Sequence, residues 1–105
     1  MTYYVYMMRC SDNSLYTGIT TDLERRFAEH TKKGGTGAKY TRAKEVIGIA
    51  CAWVTDSGRS EASKLEARLK KLTKEKKELL CKAPERLYEF YSGEEVFVCV
   101  NTNEY

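Results

Sequence analysis

Tyrosine side chains are the first groups in this 105-residue sequence that could carry chemistry. Tyr6 lies in an apolar run near the N-terminus, and Tyr16 follows ten residues later. A phenol can hold or transfer a proton, but its ordinary pKa of about 10 means that nearby cations must stabilise the phenolate before it acts as a base. Tyrosine is also a common packing residue in strands, so neither ring indicates a site by itself.

Arg26 and the single histidine, His30, form a second pair of interest. At about 100° per residue, both fall on the apolar edge of a predicted helix, beside Leu23 and Phe27. A desolvated arginine needs an anion or another partner, and it can pair with a phosphate through two hydrogen bonds. The alternative is that Arg26 extends to the surface and His30 is an ordinary core residue.

Glu66 is the acidic member of the set. It borders the apolar stripe of a later predicted helix, whose members are Ala62, Leu65, Leu69 and Leu72. Glutamate is seldom buried unless it is paired or bound to a metal, so Glu66 either pairs with Arg26 or binds a divalent cation. Glu61, on the other edge, is expected to be solvated. One face with two phenols, an arginine, an imidazole and a carboxylate would suit phosphodiester hydrolysis.

The elements that must position these groups follow from periodicity and capping. Apolar runs rich in β-branched and aromatic residues predict strands at residues 3–9, 15–19 and 46–54. Capping patterns predict helices that begin at Thr21, Ser60 and Thr73 and end near Lys32, Leu72 and Leu80. This order predicts an α+β protein with a small sheet and helices packed on it.

The C-terminal part is less regular. Pro84 can open a further helical turn, and residues 96–100 can add an edge strand. We expect a domain at residues 1–82 and an extension at residues 83–105 that packs on it. The extension is also a candidate surface for a protein partner or for self-association.

Composition restricts the class of protein. Hydrophobic residues make up 42% and charged residues 31%, and no apolar run approaches the roughly 20 residues of a spanning helix. Four cysteines without a CxxC pair and one histidine argue against a zinc site and favour reduced, mostly buried thiols. We expect a cytoplasmic protein without a secretory leader, a membrane partner or an organic cofactor. The net charge of +3 only weakly favours a polyanionic partner.

Together, these residues resemble the GIY-YIG endonuclease superfamily, most of all its small stand-alone bacterial group of the URI type. The resemblance is carried by Tyr4-Val5-Tyr6, Tyr16-Thr17-Gly18, Arg26, His30, Glu66 and the phrases YTGITTDLERRFAEH and GAKYTR. It spans about residues 3–80. It implies a three-stranded antiparallel sheet flanked by helices, and hydrolysis of a DNA phosphodiester with one divalent metal, Mg²⁺ or Mn²⁺.

Carried over by position, the resemblance implies a role for each group. Tyr6 and Tyr16 would orient and activate the water, and which of them is the base stays open. Arg26 would hold the phosphate, His30 would assist proton transfer or positioning, and Glu66 would bind the metal.

Three further residues are candidate substrate contacts. Tyr40 resembles a substrate-side position, Arg42 could contact a phosphate, and Gly18 leaves open space that could admit a ligand backbone. The sequence departs from the family pattern at Tyr4, Thr17 and Ile19. Ile19 stands where some relatives have lysine, and the missing lysine removes one possible phosphate contact or one charge that could activate the base.

Three functions follow as hypotheses. The first is a metal-dependent nuclease acting on DNA, single-stranded or structured, because so small a domain has no separate module to read a duplex sequence. The second is a non-catalytic nucleic-acid-binding module whose contacts come from the lysines between residues 70 and 77. The third is an interaction protein that docks through its C-terminal strand.

Overall fold

The computed structural model describes residues 1–31 and 45–103. Tyr40, Arg42 and the glycines predicted to end the first helix lie outside these ranges. The elements in chain order are β1 Tyr3–Cys10, β2 Leu15–Thr20, α1 Leu23–Thr31, β3 Val46–Thr55, α2 Arg59–Lys71, α3 Lys74–Lys82, a 3-10 helix Pro84–Glu89 and β4 Val98–Cys99. None of the helices in these ranges is long and apolar enough to cross a membrane.

The four strands form one antiparallel sheet in the order β2-β1-β3-β4. This confirms the predicted α+β class, the three-stranded core sheet and the added C-terminal strand, which is shorter than predicted. The β1–β2 turn contains Asn13 at a φ of 70°, a conformation that asparagine tolerates better than most residues. The Asp12 side chain accepts the Ser14 N–H at 3.0 Å, which stabilises the turn.

Two of the three predicted helix starts are corrected. The Asp22 carboxylate, not Thr21, caps α1 by accepting the Arg25 N–H at 3.0 Å. Helix α2 begins one residue before Ser60, after Gly58, whose φ of 93° suits glycine and which has no side chain to act as a cap. For α3 the prediction is confirmed, because the Thr73 hydroxyl accepts the Lys76 N–H at 3.2 Å.

The helices lie on both faces of the sheet. One face carries Val5, Met7, Cys51 and Trp53, and it packs against the apolar residues of α2, α3 and the 3-10 helix. The other face, which includes Tyr6, packs against Leu23 and Phe27 of α1. Helices α1 and α2 therefore sit on opposite faces of the sheet, so Glu66 and the α1 residues approach the phenols from different sides.

Residues after α3 complete the larger of these two cores. Leu87, Tyr91 and Phe97 are buried in the same cluster as the apolar residues of α2. The Trp53 indole N–H donates a hydrogen bond to the Pro84 carbonyl at 3.0 Å. The C-terminal segment thus covers the α2 face of the sheet, away from α1.

Candidate active site

The hairpin brings the two motif phenols to the α1 face. Tyr6 pairs with Gly18, and Tyr16 pairs with Met8, so both tyrosines project from the same side of the β1–β2 ladder. Their ring centroids are 6.4 Å apart. The two environments differ: Tyr6 is 1% exposed and Tyr16 is 47% exposed. Only Tyr16 therefore presents a phenol to solvent.

Gly18 makes room for Tyr6. A Cβ atom at Gly18 would lie 2.5 Å from the Tyr6 hydroxyl oxygen, closer than side chains approach one another. The Tyr6 ring therefore crosses over β2, the edge strand of the sheet. The open space expected above Gly18 is filled by this ring, which corrects the prediction that it could admit a ligand backbone.

Helix α1 adds Arg26 and His30 beside the phenols. The His30 and Tyr16 rings have centroids 5.4 Å apart. The Nε atom of Arg26 is buried and has no hydrogen-bond partner among residues 1–31 and 45–103. Within these ranges, the Glu29 carboxylate lies 3.6 Å from this atom, which is too far for a normal hydrogen bond. Arg26 therefore has a desolvated donor available for an anion.

These surroundings shift two pKa values in useful directions. Burial raises the pKa of Tyr6 to about 12, with a further contribution from Tyr16 that outweighs the lowering by Arg26. Burial, together with the charge of Arg26, lowers the pKa of His30. At neutral pH, Tyr6 is thus a protonated phenol, and His30 is a neutral imidazole that can accept a proton.

Glu66 approaches from the other face. It lies on α2, which packs against β1 and the edge strand β2, and its charge is among those that raise the pKa of Tyr6. Its side chain is 23% exposed and pairs with Lys70 at 3.3 Å. Within the two described ranges, Glu66 makes no ion pair with Arg26. The Glu66–Arg26 pair, one of the two alternatives predicted for this carboxylate, therefore does not form. We infer that Glu66 reaches the site around the β2 edge.

Glu61 corrects a smaller expectation. It was predicted to be the solvated glutamate of α2, yet its side chain is 18% exposed, slightly less than that of Glu66. Lys64 pairs with it at 3.3 Å. The two glutamates are thus similarly buried and similarly paired, and only Glu66 is among the charges acting on Tyr6.

The donor set fits one hydrated divalent cation. Among the residues that the structure describes, no three His, Cys, Asp or Glu side chains cluster as a protein-only metal cage. Magnesium commonly keeps several waters and binds through one or two carboxylates together with a substrate phosphate. A single part-exposed carboxylate at Glu66, with the desolvated Arg26 donor available for the phosphate, matches that pattern.

Comparison with known proteins identifies the family. The family model described as the GIY-YIG catalytic domain matches residues 2–78. A UPF0213 protein of Vibrio cholerae is 47% identical over 78 residues, covering 74% of this chain and 75% of the relative. A UPF0213 protein of Fusobacterium nucleatum is 44% identical over 85 residues, covering 81% and 82%.

A solved structure also matches. The solution NMR structure of a UPF0213 protein from Bacillus halodurans shares 36% identity, covers 90% of this chain and 100% of its own, and has a TM-score of 0.49. From the family match and the relatives, the chain belongs to the GIY-YIG family, which is a family of nucleases. The resemblance found in the sequence is thereby confirmed.

Two pairings with charged neighbours were missed by the sequence analysis. Glu29 lies three residues after Arg26, and Lys70 lies four residues after Glu66. Both spacings place side chains on the same helix face, so the periodicity could have revealed them. Glu29 pairs with the arginine that would bind a substrate phosphate, and Lys70 pairs with the carboxylate that would bind a metal.

Proposed function

We propose that this protein is a metal-dependent endonuclease that hydrolyses DNA phosphodiester bonds at the Tyr6–Tyr16–Arg26–His30–Glu66 centre. The observation that carries the proposal is the buried Nε donor of Arg26, which has no hydrogen-bond partner among residues 1–31 and 45–103 and lies near two phenols and a neutral imidazole. A buried donor of a charged group is costly unless an anion accepts its hydrogen bond, and a phosphate suits the geometry of a guanidinium.

The two tyrosines divide the work in this proposal. Tyr16 is the solvent-facing phenol and lies beside His30, so it positions the attacking water while the neutral imidazole accepts the proton. The raised pKa of Tyr6 keeps its phenol protonated, so Tyr6 donates a hydrogen bond and fixes the geometry of the reacting groups. Arg26 holds the phosphate oxygens in place and offsets their charge.

The proposed metal ligand is Glu66. When bound there, Mg²⁺ or Mn²⁺ would act as a Lewis acid on the phosphate. Binding the cation requires the Glu66 carboxylate to release Lys70, which is a small cost because exposed ion pairs contribute about 0.2–1 kcal/mol. Lys70 is then free to contact the DNA backbone.

The expected partner is DNA in the cytoplasm, single-stranded or structured. Tyr16 lies on β2, the edge strand of the sheet, and its side chain is exposed. Such a surface can accept a flexible or distorted strand more easily than it can read a regular duplex.

Glu66→Gln tests the proposal, with Glu61→Gln as its control. The two glutamates lie on the same helix, have similar exposure and each pair with a lysine at 3.3 Å. Wild type and both variants would be incubated with labelled single-stranded, duplex and branched DNA in Mg²⁺, Mn²⁺ or EDTA. We expect metal-dependent cleavage by wild type and Glu61→Gln. The cleavage rate of Glu66→Gln should be at least 100-fold lower, which is the loss expected when a group that stabilises the transition state is removed.

Binding measured in the same samples separates the alternatives. Cleavage by the wild type, with lost cleavage but retained DNA binding in Glu66→Gln, would support the assignment. Full cleavage by that variant would contradict it. Salt-sensitive DNA binding that does not depend on Mg²⁺, with no cleavage product from any substrate, would instead support the non-catalytic binding module.

A further inference from the structure

Two cysteines face each other between β3 and α3. The Sγ atoms of Cys51 and Cys81 are 3.8 Å apart, and both residues are free thiols. The pair lies in the core on the α2 face of the sheet, away from the phenols of the candidate active site. The proposed hydrolysis makes no use of it.

The two sulfurs differ in access. Cys51 is 1% exposed, whereas Cys81 is partly exposed and lines a surface hollow of about 360 Å³. Arg9, Glu78 and Lys82 line the same hollow. A small, neutral oxidant such as a hydroperoxide therefore has access to Cys81 from solvent, whereas Cys51 is shielded from it.

Their electrostatic surroundings reinforce the difference. The Cys51 thiol donates a hydrogen bond to the Cys81 sulfur, which lowers the pKa of Cys81, and the Arg9 guanidinium lowers it further. Burial of Cys81 and, to a smaller extent, Glu78 oppose this lowering of the pKa, and Glu78 is itself paired with Arg9. The hydrogen bond to Cys81 and burial raise the pKa of Cys51. A thiol with a lowered pKa is the better nucleophile near neutral pH.

The geometry points to a hydroperoxide-reactive dithiol in which Cys81 is the attacking residue and Cys51 the resolving one. The Cys81 sulfur attacks a peroxide oxygen, the O–O bond breaks, and water leaves after taking the thiol proton, which gives a sulfenic acid. The Cys51 sulfur then attacks the sulfenic sulfur. The S–S bond forms, the S–O bond breaks, and the hydroxyl group leaves as water with the Cys51 proton.

One hydroperoxide molecule balances the atoms and electrons of this reaction. Two thiols lose two electrons in total, the peroxide gains them, and with hydrogen peroxide the products are one disulfide and two waters. Forming the bond requires the sulfurs, now 3.8 Å apart, to approach by about 1.8 Å. The product joins the central strand β3 to α3.

The test uses hydrogen peroxide on the folded, full-length protein. Thiols are counted after denaturation, and peptides are mapped under non-reducing conditions. We expect the four thiols to fall to two, a Cys51–Cys81 peptide link, and full recovery with dithiothreitol. Cys99→Ser, which removes the exposed cysteine, serves as the matched control and should form the same link at an unchanged rate.

Variants of the pair distinguish the two roles. In Cys51→Ala, chosen because a buried serine could unfold the protein, we expect Cys81 sulfenic acid that a dimedone probe traps. In Cys81→Ser, peroxide should consume Cys51 at least ten-fold more slowly than in wild type. Four intact thiols after treatment, a link to Cys99 or Cys10, or irreversible oxidation of Cys81 in the wild type without a link would overturn the proposal.

Discussion

Charged groups of the candidate active site have partners on their own helices. Arg26 lies 3.6 Å from Glu29, and Glu66 lies 3.3 Å from Lys70. These contacts are part-exposed and weak, so a phosphate and a cation can displace them with little loss. The free protein can thus keep its site charges balanced without closing the site to a substrate.

His30 makes the proposed reaction sensitive to acid. Because burial and Arg26 lower its pKa below the ordinary 6.5, the imidazole is mostly neutral at neutral pH and becomes protonated in more acidic solution. We expect the single-turnover cleavage rate to fall as the pH drops through that lowered pKa. His30→Gln should lower the plateau rate by roughly 10²–10⁴-fold and remove this acidic limb, because it cannot accept the proton. A pH profile unchanged by the substitution would contradict the role.

Gly18 can be tested through its contact with Tyr6. In Gly18→Ala, the new methyl group collides with the Tyr6 phenol, so we expect the free energy of unfolding to fall by about 1–3 kcal/mol. The measurement is urea unfolding of both single variants and of the double variant with Tyr6→Ala. Once the ring is gone, Gly18→Ala should cost little. Additive effects in this cycle would mean that the collision is not the cause.

An ion pair links helix α3 to strand β1. The Arg9 guanidinium donates to both carboxylate oxygens of Glu78, one at 2.6 Å. The Arg9 hydrogen bonds, followed by that of Lys74, hold the pKa of Glu78 at about 2. A depressed carboxyl pKa stabilises the fold above the unfolded value of 4.5, and this stabilisation is lost as the pH falls toward 2.

Glu78→Gln should therefore destabilise the protein mainly above pH 4.5. We expect a loss of about 1 kcal/mol at pH 7, because the pair is only partly buried, and almost none at pH 2. Thermal or urea unfolding across this pH range measures it. Glu75→Gln, in the first turn of the same helix, is the control. An equal loss for Glu78→Gln at both pH values would contradict the ion-pair explanation.

The elements also show what the sequence could predict and what it could not. Strand periodicity and the Thr73 cap are local signals, so the sheet and α3 were predictable. The helical wheel places Arg26 and Glu66 on the apolar sides of their own helices, but it contains no information about which face of the sheet each helix covers. The filling of the space above Gly18 depends on the Tyr6 rotamer, which a strand pattern does not specify.

At the scale of the whole molecule, the segment after α3 completes the core. Leu87 is 2% exposed and packs in the main cluster, while its neighbour Arg86 is exposed and pairs with Glu89. Leu87→Ala should lower the free energy of unfolding by about 2–5 kcal/mol, whereas Arg86→Ala should have a much smaller effect, because an exposed ion pair contributes little to stability. Urea unfolding compares them. Equal, small effects would mean that the C-terminal segment is not part of the cooperative fold.

A nuclease built from these residues needs Glu66 and the phenols to form one centre, although α1 and α2 lie on opposite faces of the sheet. Paramagnetic broadening by Mn²⁺ tests this most directly, because even weak and rapidly exchanging binding broadens NMR signals of nearby groups. We predict that Mn²⁺ broadens the ring signals of Tyr6 and Tyr16 in wild type and in Glu61→Gln, but not in Glu66→Gln. Unbroadened rings in the wild type, or equal broadening in Glu66→Gln, would contradict a single metal-dependent centre.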